Sequence, residues 1–383
     1  MRVIQIHNRY RQQGGEDHVV ATEAELLRTE GHEVIQHVVA NPETAAAAMT
    51  TLARAPWNRR SASVVETLVR RFNPDIVHVH NTWFRLSPAV VKAAHAYAPV
   101  VMTVHNYRLL CANAHLLRDQ RPCRLCIDGS LWNGVIHSCY RDPLSSGLAA
   151  LTIHRGRKLV WRSDVDLYLT LSQFSSNHLI EMGIDQERIV TKDNFVVDPG
   201  DRSAEAQSSR NVLFVGRLTE EKGVKQLLAN RRVFSDFGLT LKVIGTGPLA
   251  AAVRAELGEN YLGALDSNEV MRQMLGARAL IMPSLWFEGQ PRTALEAFAA
   301  GLPVLGSGLG ALGELLACQL GEWTLEPLGD WVEAVARLNS DELIARGSRG
   351  ARTLWRSRFD PRQGASNLAL SYQQAIESHY RHR

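Results

Sequence analysis

Short apolar runs rich in valine and isoleucine alternate with amphipathic stretches along the first half of the chain. Apolar runs of this length are typical of parallel strands that are covered on both faces. The stretches between them, such as 19–28 and 64–72, show the spacing of amphipathic helices. This alternation predicts a doubly wound parallel sheet with right-handed crossovers. The predicted strands are 3–6, 33–39, 75–80, 100–104, 167–171 and 188–191.

A second series of apolar runs follows a polar link at 199–210 that contains several serines. We therefore expect one domain over residues 1–200 and a second over residues 201–360. Residues 361–383 carry the pattern of one terminal helix, and residues 109–143 interrupt the first series as an insertion. The predicted strands of the second series are 212–215, 241–244, 279–282 and 303–305.

Composition and charge limit the possible functions. The chain has 383 residues, of which 45% are hydrophobic and 21% charged, so it can bury a large core. Its 43 basic and 39 acidic residues give a net charge of +4, which is too small to predict a nucleic-acid partner. With no pattern of a signal peptide or of a membrane span, and only five cysteines, the sequence favours the cytoplasm.

Polar residues follow three predicted strands of the first half. Ligands of open α/β sheets bind beyond the carboxyl ends of the strands, and paired glycines before a helix let a backbone approach a ligand closely. His78 shares a strand face with His80, and we expect it to be a core histidine with satisfied hydrogen bonds. The candidate site residues are Gly14, Gly15 and Glu16 after the first strand, His80 and Asn81 after the third, and His105 with Tyr107 after the fourth.

Cationic and glycine residues mark the strand ends of the second half. Arg217 follows Gly216 at the end of one strand, and Lys222 stands just before the next helix. An arginine fork and a lysine point charge at the carboxyl edge of a sheet suit a pyrophosphate group. Gly245 and Gly247 form the turn after the following strand, where a backbone can approach a nucleotide.

Two glutamates eight positions apart flank a predicted helix start. Glu288 lies in the loop before the helix, which we expect Pro291 to begin as its first residue, and Glu296 lies inside it. The free backbone amides of Arg292 and Thr293 would suit a phosphate group. The two carboxylates could therefore contact one ligand from two sides, with the backbone between them binding the anionic group of that ligand.

These motifs resemble those of the retaining GT-B glycosyltransferases of the family-4 type. The resemblance rests on Glu288-x7-Glu296 together with Gly-Arg-Leu-x-x-Glu-Lys-Gly at 216–223, and it extends from the early Gly-Gly loop to the terminal helix. It implies an α/β fold of two Rossmann-like doubly wound parallel-sheet domains with a cleft between them. The first domain would face the acceptor, the second would bind the donor, and the terminal helix would pack back on the first.

The resemblance also implies an activity. A sugar would move from a nucleoside-diphosphate-sugar to a hydroxyl of a glycan, a lipid-linked or a small-molecule acceptor, with retention and without a catalytic cofactor or metal. Arg217 and Lys222 would stabilise the leaving diphosphate, Glu288 and His105 would contact the transferred sugar, and Glu296 would bind the ribose. The remaining donor contacts would be Gly216, Gly245, Gly247, Gly289, Gln290, Arg292 and Thr293, and the acceptor or loop contacts Gly14, Gly15, Glu16, His80, Asn81 and Tyr107.

Several alternatives remain open at this point. Gly289-Gln290-Pro291 stands where many members of the family have Pro-Phe-Gly, which leaves the sugar preference undefined. Another GT-B enzyme, an epimerase or a phosphorylase, or a non-catalytic zinc-bearing sugar-binding scaffold would also fit. The GxGxxG match at 308–313 and the DxD match at 164–166 are better explained as a glycine-rich turn and a strand start, respectively.

Four of the five cysteines lie in the insertion. Cys123 and Cys126 form a CxxC pair, and Cys111 and Cys139 flank it at twelve and thirteen positions. Four thiolates could bind a structural zinc ion, with His115 or His137 as a replacement ligand; two disulfides or independent thiols are the alternatives.

A basic helical stretch follows the insertion and contains an aromatic residue. It predicts either a solvated face or a peripheral contact with anionic lipids at the inner membrane face. Its residues are Arg155, Arg157, Lys158, Trp161 and Arg162.

Overall fold

The fold is described from a computed structural model that covers residues 1–10, 14–202, 206 and 208–381. Residues 11–13 of the first loop, residues 203–205 and 207 of the polar link, and residues 382–383 lie outside the described residues. The chain divides into two compact units. The first comprises 1–116, 123–193 and 364–383, and the second comprises 117–122 and 194–363.

The first unit contains a six-stranded sheet in which every neighbouring pair is parallel. The strand order is β2-β1-β3-β4-β5-β6 when strands are numbered along the chain, and this order is that of a doubly wound sheet. The strands are β1 (Arg2–Arg9), β2 (Glu33–Ala40), β3 (Ile76–Asn81), β4 (Val100–Val104), β5 (Leu167–Thr170) and β6 (Ile189–Thr191).

Helices connect these strands and begin where the sequence supplies caps. Asn58 accepts a hydrogen bond from Ser61 N at 3.2 Å at the start of one helix, which ends at Asn73 in the left-handed conformation. The helices are α1 (Gly15–Thr29), α2 (Ala45–Leu52), α3 (Arg59–Phe72), α4 (Ala89–His95), α5 (Leu125–Asp128), α6 (Trp132–Ile136), α7 (Pro143–Leu159) and α8 (Gln173–Glu181), with short 3₁₀ turns at Tyr107–Leu109 and Gln186–Arg188.

The second unit contains another six-stranded sheet with only parallel pairs, in the order β9-β8-β7-β10-β11-β12. It also includes the two-residue strands of an antiparallel hairpin at 117–122. The sheet strands are β7 (Asn211–Val215), β8 (Thr240–Ile244), β9 (Tyr261–Gly263), β10 (Ala279–Met282), β11 (Val304–Ser307) and β12 (Thr324–Leu325). The predicted GT-B class, with two Rossmann-like parallel sheets, is confirmed.

The helices of the second unit cover both faces of its sheet, whose core includes the stacked rings of Phe298 and Phe359. They are α9 (Val224–Ala229), α10 (Arg231–Asp236), α11 (Ala250–Leu257), α12 (Ser267–Gly276), α13 (Arg292–Ala299), α14 (Gly310–Ala317), α15 (Val332–Arg337) and α16 (Asp341–Leu354), with a 3₁₀ turn at Gly258–Asn260 and a π-helical turn at Trp355–Phe359.

The terminal helix α17 (Pro361–Arg381) belongs to the first unit from Gly364 onward. Leu368 and Tyr372 are fully buried in the core of that unit. The Tyr372 hydroxyl lies 2.8 Å from His78 Nδ1. Within the described residues, no helix combines the length and the apolar character needed to cross a bilayer.

Candidate functional site

Two strand-end turns of the second unit are held close together by glycine. Gly245 has a φ of +138°, and a Cβ atom at this position would lie 1.9 Å from the Gly216 carbonyl oxygen. Beyond the glycines, Leu218 N donates to Thr246 O at 2.8 Å. The turns after β7 and β8 therefore form one backbone surface at the carboxyl edge of the sheet, and Gly247 belongs to it.

Lys222 and Glu288 form an ion pair at this edge. The distance between Lys222 Nζ and Glu288 Oε1 is 2.7 Å, and Ser284 Oγ donates to the same oxygen at 2.7 Å. The Glu288 side chain is 5% exposed and the Lys222 side chain 18%. Lys222 Nζ also lies 5.3 Å from the centre of the Trp286 ring, within the range of a cation–π contact. Ser284 and Trp286 are contacts that the sequence motifs did not predict.

Gly223 allows the lysine to reach this position. Its φ is +73°, and a Cβ atom there would lie 1.9 Å from the carbonyl oxygen of Pro283. Leu285 N donates to Glu221 O at 2.9 Å, which joins the turn after β7 to the turn after β10. The glycine therefore permits a close backbone contact that brings the motif at 216–223 to the loop that carries Glu288.

The second glutamate lies in the first turns of α13. Glu296 Oε1 accepts a hydrogen bond from Arg292 Nε at 2.7 Å. Contrary to the prediction, Pro291 is the N-cap and Arg292 is the first helical residue, because Pro291 has an extended ψ of 112°. The Pro291 carbonyl accepts from Ala294 N at 2.9 Å, so the amides of Arg292 and Thr293 precede the first helical hydrogen bond.

The other predicted donor residues are placed less tightly. The Arg217 side chain is 53% exposed, and its Nη2 lies 3.8 Å from Glu221 Oε1. Gln290 is buried, and its Oε1 accepts a hydrogen bond from Asn194 N at 2.8 Å. Its side chain therefore holds the backbone at Asn194. Gly289, between Glu288 and Gln290, is half-buried.

Buried histidines meet at the carboxyl edge of the first unit's sheet. His80 Nδ1 lies 3.1 Å from His105 Nε2, and the two rings stack. Burial lowers the pKa of His105 to about 3, and burial and His105 hold the pKa of His80 well below its usual range. The other ring nitrogen of His78, Nε2, lies 2.7 Å from Thr103 Oγ1. The structure thus brings His80 and His105 together and satisfies His78 within the core.

A buried ion pair accompanies these histidines, and the sequence patterns did not reveal it. Glu23 and Lys192 contact each other directly, and their side chains are at most 1% exposed. Burial would raise the pKa of Glu23, but Lys192 together with His78 and His105 outweighs this effect and holds the pKa below its usual value. Glu23 Oε2 lies 3.6 Å from His80 Nε2. Because the partners are 169 positions apart, only the folded chain identifies them.

The first helix begins at the predicted glycine pair, which is exposed. Gly14 is the N-cap of α1 and its amide donates to Asp17 Oδ2 at 2.9 Å. Burial and the neighbouring Asp17 raise the pKa of Glu16 to about 8. Asn106 Nδ2 donates to Glu16 Oε2 at 3.3 Å, and His7 Nε2 lies 2.8 Å from Asp17 Oδ1.

Asn81 and Tyr107 are engaged within the protein. Asn81 Nδ2 donates to Asn8 O at 2.9 Å, and Asn81 Oδ1 accepts from Trp83 N at 2.9 Å. The Tyr107 ring is buried against Phe174, with 6.0 Å between ring centres. Both residues therefore support the loops that follow β3 and β4.

Two cysteines of the insertion, Cys126 and Cys139, lie next to Gly134. The Gly134 carbonyl accepts from Cys139 N at 2.9 Å, and a Cβ atom on Gly134 would lie 3.7 Å from Cys126 Sγ. Cys111 Sγ donates to Asn113 Oδ1 at 3.0 Å. Burial raises the pKa of Cys126 to about 11, to which Cys111, Cys139 and Cys123 contribute. All five cysteines of the chain are free thiols.

Two other groups have the spacing of metal ligands. Among the described residues, each of these groups has three ligand atoms within 4.8 Å of one another, and neither contains a cysteine. The groups are Glu23 with His78 and His80, and His95 with Asp166 and His379.

The DxD and GxGxxG matches are structural, as expected. Asp166 directly precedes β5, and its Oδ2 accepts from Val100 N at 2.6 Å, at the start of β4. In the glycine-rich turn, a Cβ atom on Gly313 would lie 2.4 Å from the Gly308 carbonyl oxygen. Both motifs are therefore explained by local packing.

The basic stretch after the insertion is partly a solvated face, because Arg155, Lys158 and Arg162 are exposed whereas Trp161 is buried. Trp161 is 2% exposed, and it packs so closely on Gly156 that a Cβ atom there would lie 2.2 Å from its indole nitrogen. Arg157 Nη2 donates to Leu110 O at 3.3 Å, and Arg162 Nη2 donates to Met182 O at 2.8 Å. α7 ends at Leu159, and the chain after it turns into the core. Trp161 is therefore too buried to anchor a membrane contact.

Comparison with known proteins identifies the family. A family model described as "Glycosyl transferase 4-like domain" matches residues 9–194, and one described as "Glycosyl transferases group 1" matches residues 209–341. Glycogen synthase of Mycobacterium tuberculosis is 27% identical over 263 residues, which are 64% of this chain and 55% of that protein. The chain thus spans about half the length of this relative.

Solved structures share the fold across both units. Sucrose-phosphate synthase from Thermosynechococcus elongatus matches with a TM-score of 0.72 and 14% identity, over 99% of this chain and 100% of that one. Anabaena HepE in complex with UDP matches with a TM-score of 0.67 and 15% identity, over 97% and 100%. With both family models matched in their expected order and the fold shared end to end, the chain belongs to the GT-B glycosyltransferases of the family-4 type.

Proposed function

We propose that this protein is a retaining glycosyltransferase that moves a sugar from a nucleoside-diphosphate-sugar to an acceptor hydroxyl. The observation that carries the proposal is the partly buried Lys222–Glu288 pair at the carboxyl edge of a parallel sheet, next to the start of α13. Ligands of such sheets bind at this edge. A cation there, beside the amides of a helix N-terminus, suits a diphosphate.

Each charged group has a separate role in the proposed reaction. Lys222 and Arg217 stabilise the charge that develops on the departing nucleoside diphosphate, without a metal ion or other cofactor. Glu288 orients Lys222 and accepts hydrogen bonds from the transferred sugar, while Glu296 binds the ribose. The exposure of Arg217 leaves its guanidinium available to a phosphate that is not yet bound.

The first unit would serve the acceptor side, with a domain boundary near residue 200. His105, which its low pKa keeps neutral at physiological pH, can donate or accept a hydrogen bond from a sugar hydroxyl without adding charge. His80 contacts His105 and positions its ring. Gly14, Gly15 and Glu16 would contact the acceptor from the start of α1.

Substitution of Lys222 by Ala should test the role of the ion pair. We expect transfer to fall by roughly two to three orders of magnitude, because one preorganised charge in such a site is worth that much. Lys225→Ala is the matched control, because Lys225 lies three positions further on and its side chain is 51% exposed. Transfer would be followed by release of UDP, the nucleotide bound by HepE. Equal activity of the two variants would refute the assignment.

The stereochemical outcome separates the proposed reaction from other GT-B chemistry. NMR of the first product should show the anomeric configuration of the donor. An epimerised nucleotide-sugar, or phosphate-dependent cleavage of a glycan, would instead indicate an epimerase or a phosphorylase. Donor binding without any turnover would indicate a sugar-binding scaffold.

We also propose that the insertion binds a structural zinc ion through Cys111, Cys123, Cys126 and Cys139. Two of these cysteines lie next to Gly134, Cys139 through its backbone amide and Cys126 through its Sγ atom, and Cys111 and Cys123 are close enough to Cys126 to influence its pKa. The guanidinium of Arg157 supports the proposal, because its Nε is buried and has no acceptor among the described residues. A zinc ion with four thiolates carries negative charge, which this cation would stabilise.

Metal analysis of the purified protein tests the zinc proposal. We expect stoichiometric zinc in the wild type and in Cys318→Ser, since Cys318 is exposed and lies outside the insertion. Cys126→Ser should lose the metal and unfold at a lower temperature, because binding of a structural metal contributes to folding. Zinc content that is the same in Cys126→Ser and Cys318→Ser would exclude the site.

A further inference from the structure

A cavity of about 560 Å³ in the first unit is lined by four arginines. It lies where α2, α3 and α7 meet, and its volume is within the range of roughly 300–1,000 Å³ that is usual for small-molecule pockets. Arg54 follows α2, Arg59 and Arg60 begin α3, and Arg155 lies on α7. The remaining lining residues are Trp57, Asn58 and Leu159.

The four arginines carry charge that the protein itself does not balance. All four side chains are exposed, and none forms an ion pair with an acidic residue in the part of the chain that the structure describes. The lining contains no aspartate or glutamate. A single exposed arginine is usually solvated, but four that converge from three elements repel one another. An anion bound in the cavity would relieve this repulsion.

The base of the cavity is fixed by hydrogen bonds to the carboxyl edge of the sheet. Asn58 Nδ2 donates to Arg85 O at 2.7 Å, and Asn58 N donates to Ser87 Oγ at 2.8 Å. Arg85 N in turn donates to Asn8 Oδ1 at 2.8 Å, near the end of β1. The cavity is therefore built beside the edge where His80 and His105 lie.

An exposed apolar stripe on α7 leads to the same cavity. Leu144, Leu151 and Leu159 share a helix face with Arg155, since they are spaced by seven, four and four positions along this face. They are 64%, 39% and 40% exposed, respectively. Exposed leucines along one helix face, accompanied by basic residues at its border, suit contact with a lipid surface. The stripe thus indicates an apolar portion of the same ligand.

We propose that this cavity binds the phosphate or diphosphate group of an amphiphile whose apolar part lies along the leucines of α7. Arginine suits this group, because its planar fork forms paired hydrogen bonds with phosphate oxygens. The binding of the amphiphile goes beyond the proposed function. That the amphiphile also carries the acceptor hydroxyl is a second part of the proposal, and this part rests on the proposed function.

Vesicle sedimentation of the full-length protein tests the proposal. The wild type should bind vesicles of phosphatidylcholine with phosphatidylglycerol and not vesicles of phosphatidylcholine alone, and inorganic pyrophosphate should release it. Arg59→Gln/Arg60→Gln should weaken binding by about tenfold or more, since two of four phosphate contacts are lost. The control Arg71→Gln/Arg349→Gln removes the same charge from exposed positions outside the cavity and should retain binding.

A second variant separates the apolar contact from the charge. Leu144→Ser/Leu151→Ser should lose vesicle binding but bind inorganic pyrophosphate with unchanged affinity. If the wild type binds pyrophosphate at the arginines but does not bind vesicles, the ligand is soluble, and the proposal of an amphiphilic ligand is wrong. Equal losses in the cavity variant and its charge-matched control would overturn the site itself. UDP should raise the melting temperature of Arg59→Gln/Arg60→Gln as much as that of the wild type. This result would show that the variant still binds the donor nucleotide, so a loss of vesicle binding could not be attributed to a failure of the proposed function.

Discussion

Single residues at the candidate sites owe their chemistry to burial and to one neighbour. Lys222 is held against Glu288 at 2.7 Å, and His105 is kept neutral by its buried position. Glu16 is the opposite case, because burial and Asp17 favour its protonated form near neutral pH. The sequence identified these residues by their place after strands, but their protonation states follow from contacts that only the fold supplies.

Glu16→Gln should change the pH dependence of stability. The pKa of Glu16 is raised to about 8 in the folded state, so the folded protein binds its proton more tightly than the unfolded chain does. Stability in the wild type therefore falls as pH rises from the unfolded pKa of about 4.3 to the folded value, and Gln removes this loss. Urea unfolding at about pH 6 and about pH 9 measures it.

The exposed Glu43 supplies the control for this experiment. Glu43→Gln should leave the difference between the two pH values as it is in the wild type. If Glu16→Gln behaves in the same way as Glu43→Gln, the carboxyl group of Glu16 is not protonated in the folded state.

At the scale of elements, the two strand-end turns of the second unit depend on glycine for close approach. The motif at 216–223 was recognisable from its spacing, yet the reason for Gly223 is the carbonyl of Pro283, which belongs to a distant loop. Similarly, α17 was predicted as a helix from its pattern, whereas its contacts with His78 and Asp166 depend on where it docks.

Gly223→Ala should destabilise the protein more than Gly238→Ala. Both glycines have positive φ, at +73° and +66°, but only Gly223 has a backbone atom within 2 Å of the added Cβ atom, while Gly238 has none within 4 Å. We expect about 1–2 kcal/mol for the left-handed conformation alone at Gly238. Gly223→Ala should cost about 1–3 kcal/mol more and reduce UDP binding. Urea unfolding and a UDP titration measure the two effects. Equal losses of unfolding free energy in the two variants would show that the Pro283 carbonyl does not crowd the added Cβ atom.

Tyr372→Phe tests how α17 is held. The change leaves buried His78 without its partner at 2.8 Å and should cost about 1–3 kcal/mol of unfolding free energy. Tyr380→Phe, on the same helix but 67% exposed, should cost less than about 0.5 kcal/mol. Indistinguishable urea unfolding curves for the two variants would show that the buried hydroxyl contributes nothing.

At the scale of the whole molecule, the two candidate sites with clustered charge lie in different units. The net charge of +4 identifies no partner, because the 43 basic and 39 acidic residues nearly balance. In the structure, four unpaired arginines line one cavity in the first unit, while the Lys222–Glu288 pair lies in the second. The proposed recognition of ligands therefore rests on the local arrangement of charge within each unit, not on the net charge.

UDP should stabilise the second unit by mass action. At a concentration about 100 times the Kd, binding to the native state adds about 2.7 kcal/mol to the free energy of unfolding. Hydrogen exchange should then show slower exchange at 216–223 and 288–296, and Lys222→Ala should abolish the effect at the same concentration. Unchanged exchange in these segments of the wild type would place nucleotide binding elsewhere.

The sequence by itself determined the alternation of strands and helices, the two parallel sheets and the positions of the strand-end motifs. These features are local, because periodicity and strand-end spacing are properties of neighbouring residues. Tertiary structure decided the pairs: Lys222 with Glu288 across 66 positions, Glu23 with Lys192 across 169, and the burial of Trp161. Packing sets such contacts between distant segments, so no pattern within either segment could predict them.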